Sequence, residues 1–162
     1  MLLPRSLCIL GRLPDIGRAE LESLYGAEHI VSAADYAVLS DMPVHDINLQ
    51  RLGATVKLAQ VTGSVKNARW ADIQAALSQQ ALSLAATLAE GKIQIGLSAY
   101  GLHGVNPRQL LAAGLEIKKT LRAQGYSVRL TPNQDVTLSS AQVLHNHLTG
   151  ERGLELLRPM NH

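Results

Sequence analysis

The sequence predicts a mixed α+β protein made of two units in tandem, and three observations lead there. Strand-like and helix-like segments alternate along all 162 residues. Apolar residues make up 46% of the chain, yet there are four Tyr, one Trp and no Phe, so the core must be built from Leu, Ile, Val and Ala. A polar stretch containing glycine, "TGSVKN" at residues 62–67, interrupts the alternation and separates a unit at 1–65 from one at 66–162.

In the first unit, "LCILG" is a buried strand, and "PDIGRAELESLYG" follows as a helix. Asp15 stands near its start with Glu20 and Glu22 as further helix-start charges, Ile16, Ala19 and Leu24 run along it, and Gly26 stops it. "HIVSA" and "YAVLS" are strand candidates, "DMPVHDINLQRLG" holds at most a short, weak helix, and "ATVKLAQV" is a partly amphipathic strand with Val56, Leu58 and Gln60 set against Lys57, Ala59 and Val61. The outline is β-α-β-β-α-β.

The second unit opens with a strong helix. Trp70, Ile73, Leu77, Ala81, Leu84 and Leu88 are spaced to share one helical face, a core stripe, and Gly91 can terminate it. "KIQIGLSAYG" is the next strand and "GLHGVN" a turn. Asn106 as N-cap, Pro107 at the first helical position and Gly125 past the end delimit a helix over "NPRQLLAAGLEIKKTLRAQG". "YSVRLTP" is a strand carrying Arg129. In "LSSAQVLHNHLTG", Ser139 and Gln142 form a capping box, Leu138 and Val143 a hydrophobic staple, and Gly150 an end, so a helix of about ten residues is expected before the strand "GLELL". Its apolar face is Ala141, Leu144 and Leu148, flanked by a partly buried His147. In a helix His145 and His147 diverge by about 200°, which rules out joint ligation of one metal.

Charge and motifs narrow the chemistry. The first 65 residues hold five Lys/Arg against seven Asp/Glu, and the rest ten against six, so the positive surplus is C-terminal. Cys8 is the one cysteine, which excludes an internal disulfide, suggests inert core and suits a reducing, cytoplasmic setting. "MLLPRSLCILG" is too short and interrupted for a signal peptide or a membrane span, and no later apolar run approaches ~18 residues unbroken. G-x-S-x-G, P-loop, H-E-x-x-H and C-x-x-C are all missing, and "GLHG" lacks the third glycine of a dinucleotide-binding turn. No catalytic pair emerges. What stands out is the helix with Arg108, Lys118, Lys119 and Arg122 against Glu116, followed by Arg129. Lys118 and Arg122 lie one turn apart. With the free N–H groups at the "SSAQ" helix start they form either a phosphate-holding surface or a solvated basic face.

The segments "KIQIGLSAYG" and "LEIKKTLRAQGYSVRLTPNQDVTLSSAQVLHNHLTGERGLELL" resemble a THUMP domain, the RNA-binding module of several tRNA-modifying enzymes. Within that group they are most similar to the N-terminal region of tRNA guanine-N2-methyltransferases. "LGRLPDIGRAELESLYG" and "LQRLGATVKLAQV" resemble the ferredoxin-like domain that precedes THUMP there. The resemblance spans nearly the whole chain. It implies a ferredoxin-like domain at 1–65, a THUMP-like domain at 66–162, and a grip on the acceptor stem and 3′ end of tRNA. Lys118, Lys119, Arg122 and Arg129 are then candidates for phosphates, Ser139 and Ser140 for the strand end, and Asn133, His145 and Asn146 for further RNA contacts.

Family members continue into a Rossmann-like domain that binds S-adenosylmethionine and carries an Asp/Asn-Pro-Pro-aromatic motif. This chain has no Pro-Pro pair, so no catalytic residue, metal or cofactor is expected in it, and the methyltransferase domain is expected in cis or in trans. The alternative is a stand-alone RNA-binding or protein-interaction scaffold that uses the Trp70 to Leu88 helix.

Overall fold

A computed structural model describes residues 3–65 and 69–159. The chain is mixed α+β, with four α-helices and two sheets, and divides into two compact units between Gly63 and Ser64. Lys66 and Asn67, the end of the expected linker, lie outside the described residues.

The first unit is a four-stranded antiparallel sheet, β1 (Ser6–Leu10), β2 (Ile30–Ala34), β3 (Ala37–Ser40) and β4 (Thr55–Gln60), in the order β2-β3-β1-β4. Helix α1 (Pro14–Tyr25) starts on Pro14 and ends at Gly26, whose φ of 98° suits glycine. The expected apolar face of α1 is displaced. Gly17 and Leu21 are buried, whereas Ile16, Ala19 and Leu24 face outward. Gly17 marks the line of contact, since a Cβ there would sit 3.0 Å from Leu10 Cδ2 and 3.1 Å from the Ala54 carbonyl. Glu20 is not a dipole charge. Its two carboxylate oxygens accept hydrogen bonds from the backbone N–H groups of Gly53 (2.8 Å) and Ala54 (3.1 Å), tying α1 to the turn before β4. Glu22 pairs with Arg18 at 2.8 Å.

The short second helix of this unit does not form. Two 3-10 turns, Val44–Asp46 and Leu49–Arg51, replace it. Pro43 precedes the first, and the Asn48 side chain accepts from Gln50 N–H, a local bond that competes with helix over so short a run. On β4, Lys57 is buried and Val56 exposed, the reverse of an outward lysine; the β1–β4 register shifts between Ile9 and Leu10.

Cys8 is fully buried in the core with Leu10, Leu21, Val38, Ile47 and Leu52. Burial pushes its thiol from 9.0 up to about 11. The folded chain thus keeps the proton over a range in which the unfolded chain loses it. Stability from this residue is complete below pH 9.0 and drains away towards pH 11, by about 2–3 kcal/mol in all. Urea unfolding as a function of pH should show this decline in the parent and not in Cys8→Ala; parallel curves for the two would refute it.

The second unit is a three-stranded parallel sheet, β5 (Ile93–Tyr100), β6 (Val128–Leu130) and β7 (Gly153–Pro159), in the order β6-β5-β7. Helices α2 (Trp70–Ala85) and α3 (Pro107–Ala123) cover one face. Ile93, Ile95, Leu97 and Ala99 of β5 meet Ala81 and Ala85 of α2 and Leu110, Ala113, Ile117 and Leu121 of α3 in one core. Trp70, Leu77, Leu84 and Leu88 pack against it, so the α2 stripe is core. That helix ends at Ala85, however, and Gly91 (φ 122°) belongs to the turn beyond. The other face carries Gly96, where a Cβ would press on Leu138 and Leu148 at 2.6 Å, and these two with Val143 form a separate small cluster.

Helix α3 begins as the sequence predicts, Asn106 and Gln109 each bonding the other's backbone N–H. It closes in a Schellman motif: Tyr126 N–H reaches Leu121 O, Gly125 N–H reaches Arg122 O, and Gly125 has φ 90°. Helix α4 (Ser140–His145) has the expected capping box and staple but is six residues long. It closes by the same motif, Leu148 N–H to Val143 O and His147 N–H to Leu144 O, with His147 at φ 55° in the place of Gly125. His147 therefore lies outside the helix and is exposed, not partly buried, and the 200° argument does not apply to it. Val143 and Leu148 are the inward residues; Ala141 and Leu144 are outward. A left-handed histidine is strained relative to glycine. His147→Gly should raise stability by about 0.5–1 kcal/mol, seen as a higher urea midpoint at unchanged slope; an unchanged or lower midpoint would show that no strain is stored there.

Candidate nucleic-acid interface

The candidate residues all lie in the second unit but in distinct places. On α3, Leu110, Ala113, Gly114, Ile117 and Leu121 turn inward. Lys118 and Arg122, each one residue past an inward position, share a flank one turn apart, while Lys119 points away from the sheet. Lys119 and Arg122 are exposed and Lys118 is half-buried. Among the described residues none of the three joins an ion pair, although Glu116 is close in sequence. Because α3 runs back from the end of β5 to the start of β6, these cations sit towards the amino ends of the strands.

Arg129 does not join them. It pairs with Gln94 on β5, and its neighbours Val128 and Leu130 pack into the α2–α3 core, Leu130 against Gly114. Strand alternation sends Arg129 to the α4 side of the sheet.

Most of the polar candidates are engaged in local structure. Asn133 donates from Nδ2 to the carbonyls of Leu97 (2.9 Å) and Asp135 (3.1 Å), pinning its own loop. Ser139 Oγ accepts from Gln142 N–H at 3.2 Å, which occupies one of the N–H groups expected to face phosphate. Asn146 Nδ2 donates to Gln142 O at 2.8 Å and closes α4. Ser140 and His145 are exposed. The expected convergence of basic strand and helix start is not found. Arg129 is level with Gln94, whereas Leu138 N–H bonds Ser98 Oγ at 2.9 Å, about 13 Å further along β5.

Beyond β6 the chain runs along the carboxyl-terminal half of β5. Thr131 N–H bonds Ile95 O, Ala99 N–H bonds Val136 O, and Ser98 Oγ accepts from Leu138 N–H while donating to Glu155 Oε1 at 2.8 Å. The segment 131–138 thus lines the edge of β5 that the three-residue β6 leaves uncovered. In the first unit an open hollow of about 260 Å³, lined by residues including Pro4, Arg5, His45 and Gln60, contains none of the candidates. Among the described residues there is no group of three His, Cys, Asp or Glu placed to hold a metal ion, and no helix long and apolar enough to cross a membrane.

No protein-family model, curated protein or solved structure matches the chain.

Proposed function

We propose that this chain is the tRNA-binding, substrate-positioning region of a cytoplasmic, S-adenosylmethionine-dependent tRNA guanine-N2-methyltransferase. The Rossmann-like catalytic domain is supplied in cis or in trans. The observation that carries the reading is the group of cations on the outer side of α3, Lys118, Lys119 and Arg122, with no carboxylate partner among the described residues. Cations left unpaired at a surface suit a partner that brings its own negative charge and releases counterions on binding. Support also comes from the THUMP-like sequence of the second unit and from the first unit's strand order β2-β3-β1-β4, antiparallel throughout, with α1 crossing over as in a ferredoxin-like domain.

The role of this chain is to bind and orient. In this reading S-adenosylmethionine is held by the separate domain, while this chain supplies the grip on tRNA. The α2 stripe invoked for a scaffold or dimer is spent on the unit's own core. The test is titration of the chain with intact tRNA and with tRNA lacking its 3′ end. Tighter, salt-sensitive binding of the intact form is expected, and equal affinity for both would sink the 3′-end grip.

A further inference from the structure

We infer that the phosphate-binding surface continues from α3 across the amino end of the three-stranded sheet, with Lys92 and Arg152 as further contacts to a nucleic-acid backbone. This extends the tRNA-binding reading and rests on it. Lys92 and Arg152 each stand one position ahead of a strand, β5 at Ile93 and β7 at Gly153, and these strands are parallel neighbours. Backbone bonds hold the three strand starts level: Ile93 N–H donates to Ser127 O and Gln94 N–H to Arg152 O, both at 2.8 Å. Adjacent strands lie about 5 Å apart, so the two side chains rise from neighbouring points. Gly91, at φ 122°, leaves room for the arginine; a Cβ there would fall 2.5 Å from Arg152 Nη1. The guanidinium thus lies close to Gly91, the residue before Lys92.

Both residues are exposed, and neither forms an ion pair among the described residues although Glu90 and Glu151 are their sequence neighbours. Exposed cations on neighbouring strand starts favour an anion that spans them. Ser127, bonded to Ile93, follows Arg122 by one short turn, which brings the end of α3 to this same end of the sheet. Along the order β6-β5-β7, Arg122 closes the helix that leads into β6, Lys92 precedes β5 and Arg152 precedes β7, so one cation stands at the amino end of each successive element. A row suits successive phosphates of a strand better than one compact anion.

The experiment is titration of the full chain with bulk tRNA over a salt series, using the parent, Lys92→Ala/Arg152→Ala, the charge-conserving Lys92→Arg/Arg152→Lys, and Lys118→Ala/Lys119→Ala/Arg122→Ala, each checked for folding by circular dichroism. The Lys92→Ala/Arg152→Ala pair should weaken binding several-fold and lower the log–log salt slope by about 1–2; the charge-conserving pair should keep the parent slope. If the pair binds like the parent while the α3 triple variant does not, the extension is wrong and the tRNA reading stands. If the parent binds no tRNA at low salt, or binds phosphatidylserine vesicles instead, both fall.

Discussion

Gly153→Ala is expected to destabilise the second unit by at least about 3 kcal/mol, the upper part of the range for forcing extra atoms into a packed site. Gly153 opens β7 opposite Gln94, and the turn that leaves α4 passes directly over it. A Cβ at this position would meet the His147 carbonyl oxygen and, at 2.5 Å, both the carbonyl carbon and oxygen of Leu148. These are backbone atoms that cannot rotate aside. They are also fixed from the other side, because His147 O accepts from Gly150 N–H and Leu148 N–H donates to Val143 O in the closing motif of α4. Relief would require breaking either that motif or the first β5–β7 pairing. Chemical denaturation should show the loss directly, whereas Gly125→Ala, whose Cβ meets nothing within 4 Å, should cost only what a left-handed alanine costs, about 1–2 kcal/mol. Equal effects of the two substitutions would mean that the close approach at Gly153 is not real.

Replacing Lys118, Lys119 and Arg122 together by Ala should weaken tRNA binding by about tenfold to a hundredfold at low salt and lower the salt slope by about 3. The size follows from three charge-assisted phosphate contacts at the surface, each modest in water. Folding should survive, since the inward residues of α3 are untouched and Ala favours helix. Affinity matching the parent at both low and moderate salt would place the RNA elsewhere. Arg129→Ala alone should do less, because Arg129 projects on the opposite face of the sheet from the α3 cations.

Features set by nearby residues were legible in the sequence. Asn106, Pro107 and Gly125 delimit α3, and Ser139 with Gln142 marks the start of α4, because caps are local chemistry. The end of α4 was not legible: the sequence offers Gly150 as the stop, whereas the helix ends at His145 and the left-handed turn falls on His147, where no glycine marks it. The buried line of α1 was missed because its central residue is Gly17, which marks a contact by lacking a side chain. At the candidate site, the α3 cations were legible from helical periodicity. Arg129 was not, since the facing of a three-residue strand depends on its register with a strand far away in sequence. Asn133, Ser139 and Asn146 look free in a linear reading and prove to hold backbone groups. Lys92 and Arg152 carry no sequence signal at all, for only the pairing of β5 with β7 makes them neighbours.

The order β6-β5-β7 also governs how the second unit is made. Its central strand is the first of the three to leave the ribosome, and its longest pairing is with the last. Until residue 159 has emerged, the eight-residue strand β5 has one edge without a partner, and closing that gap requires a loop of more than fifty residues. Parallel pairing across such a distance folds slowly and leaves an aggregation-competent edge while it waits. A nascent chain stalled before Gly153 should therefore depend on chaperone protection that the completed chain no longer needs.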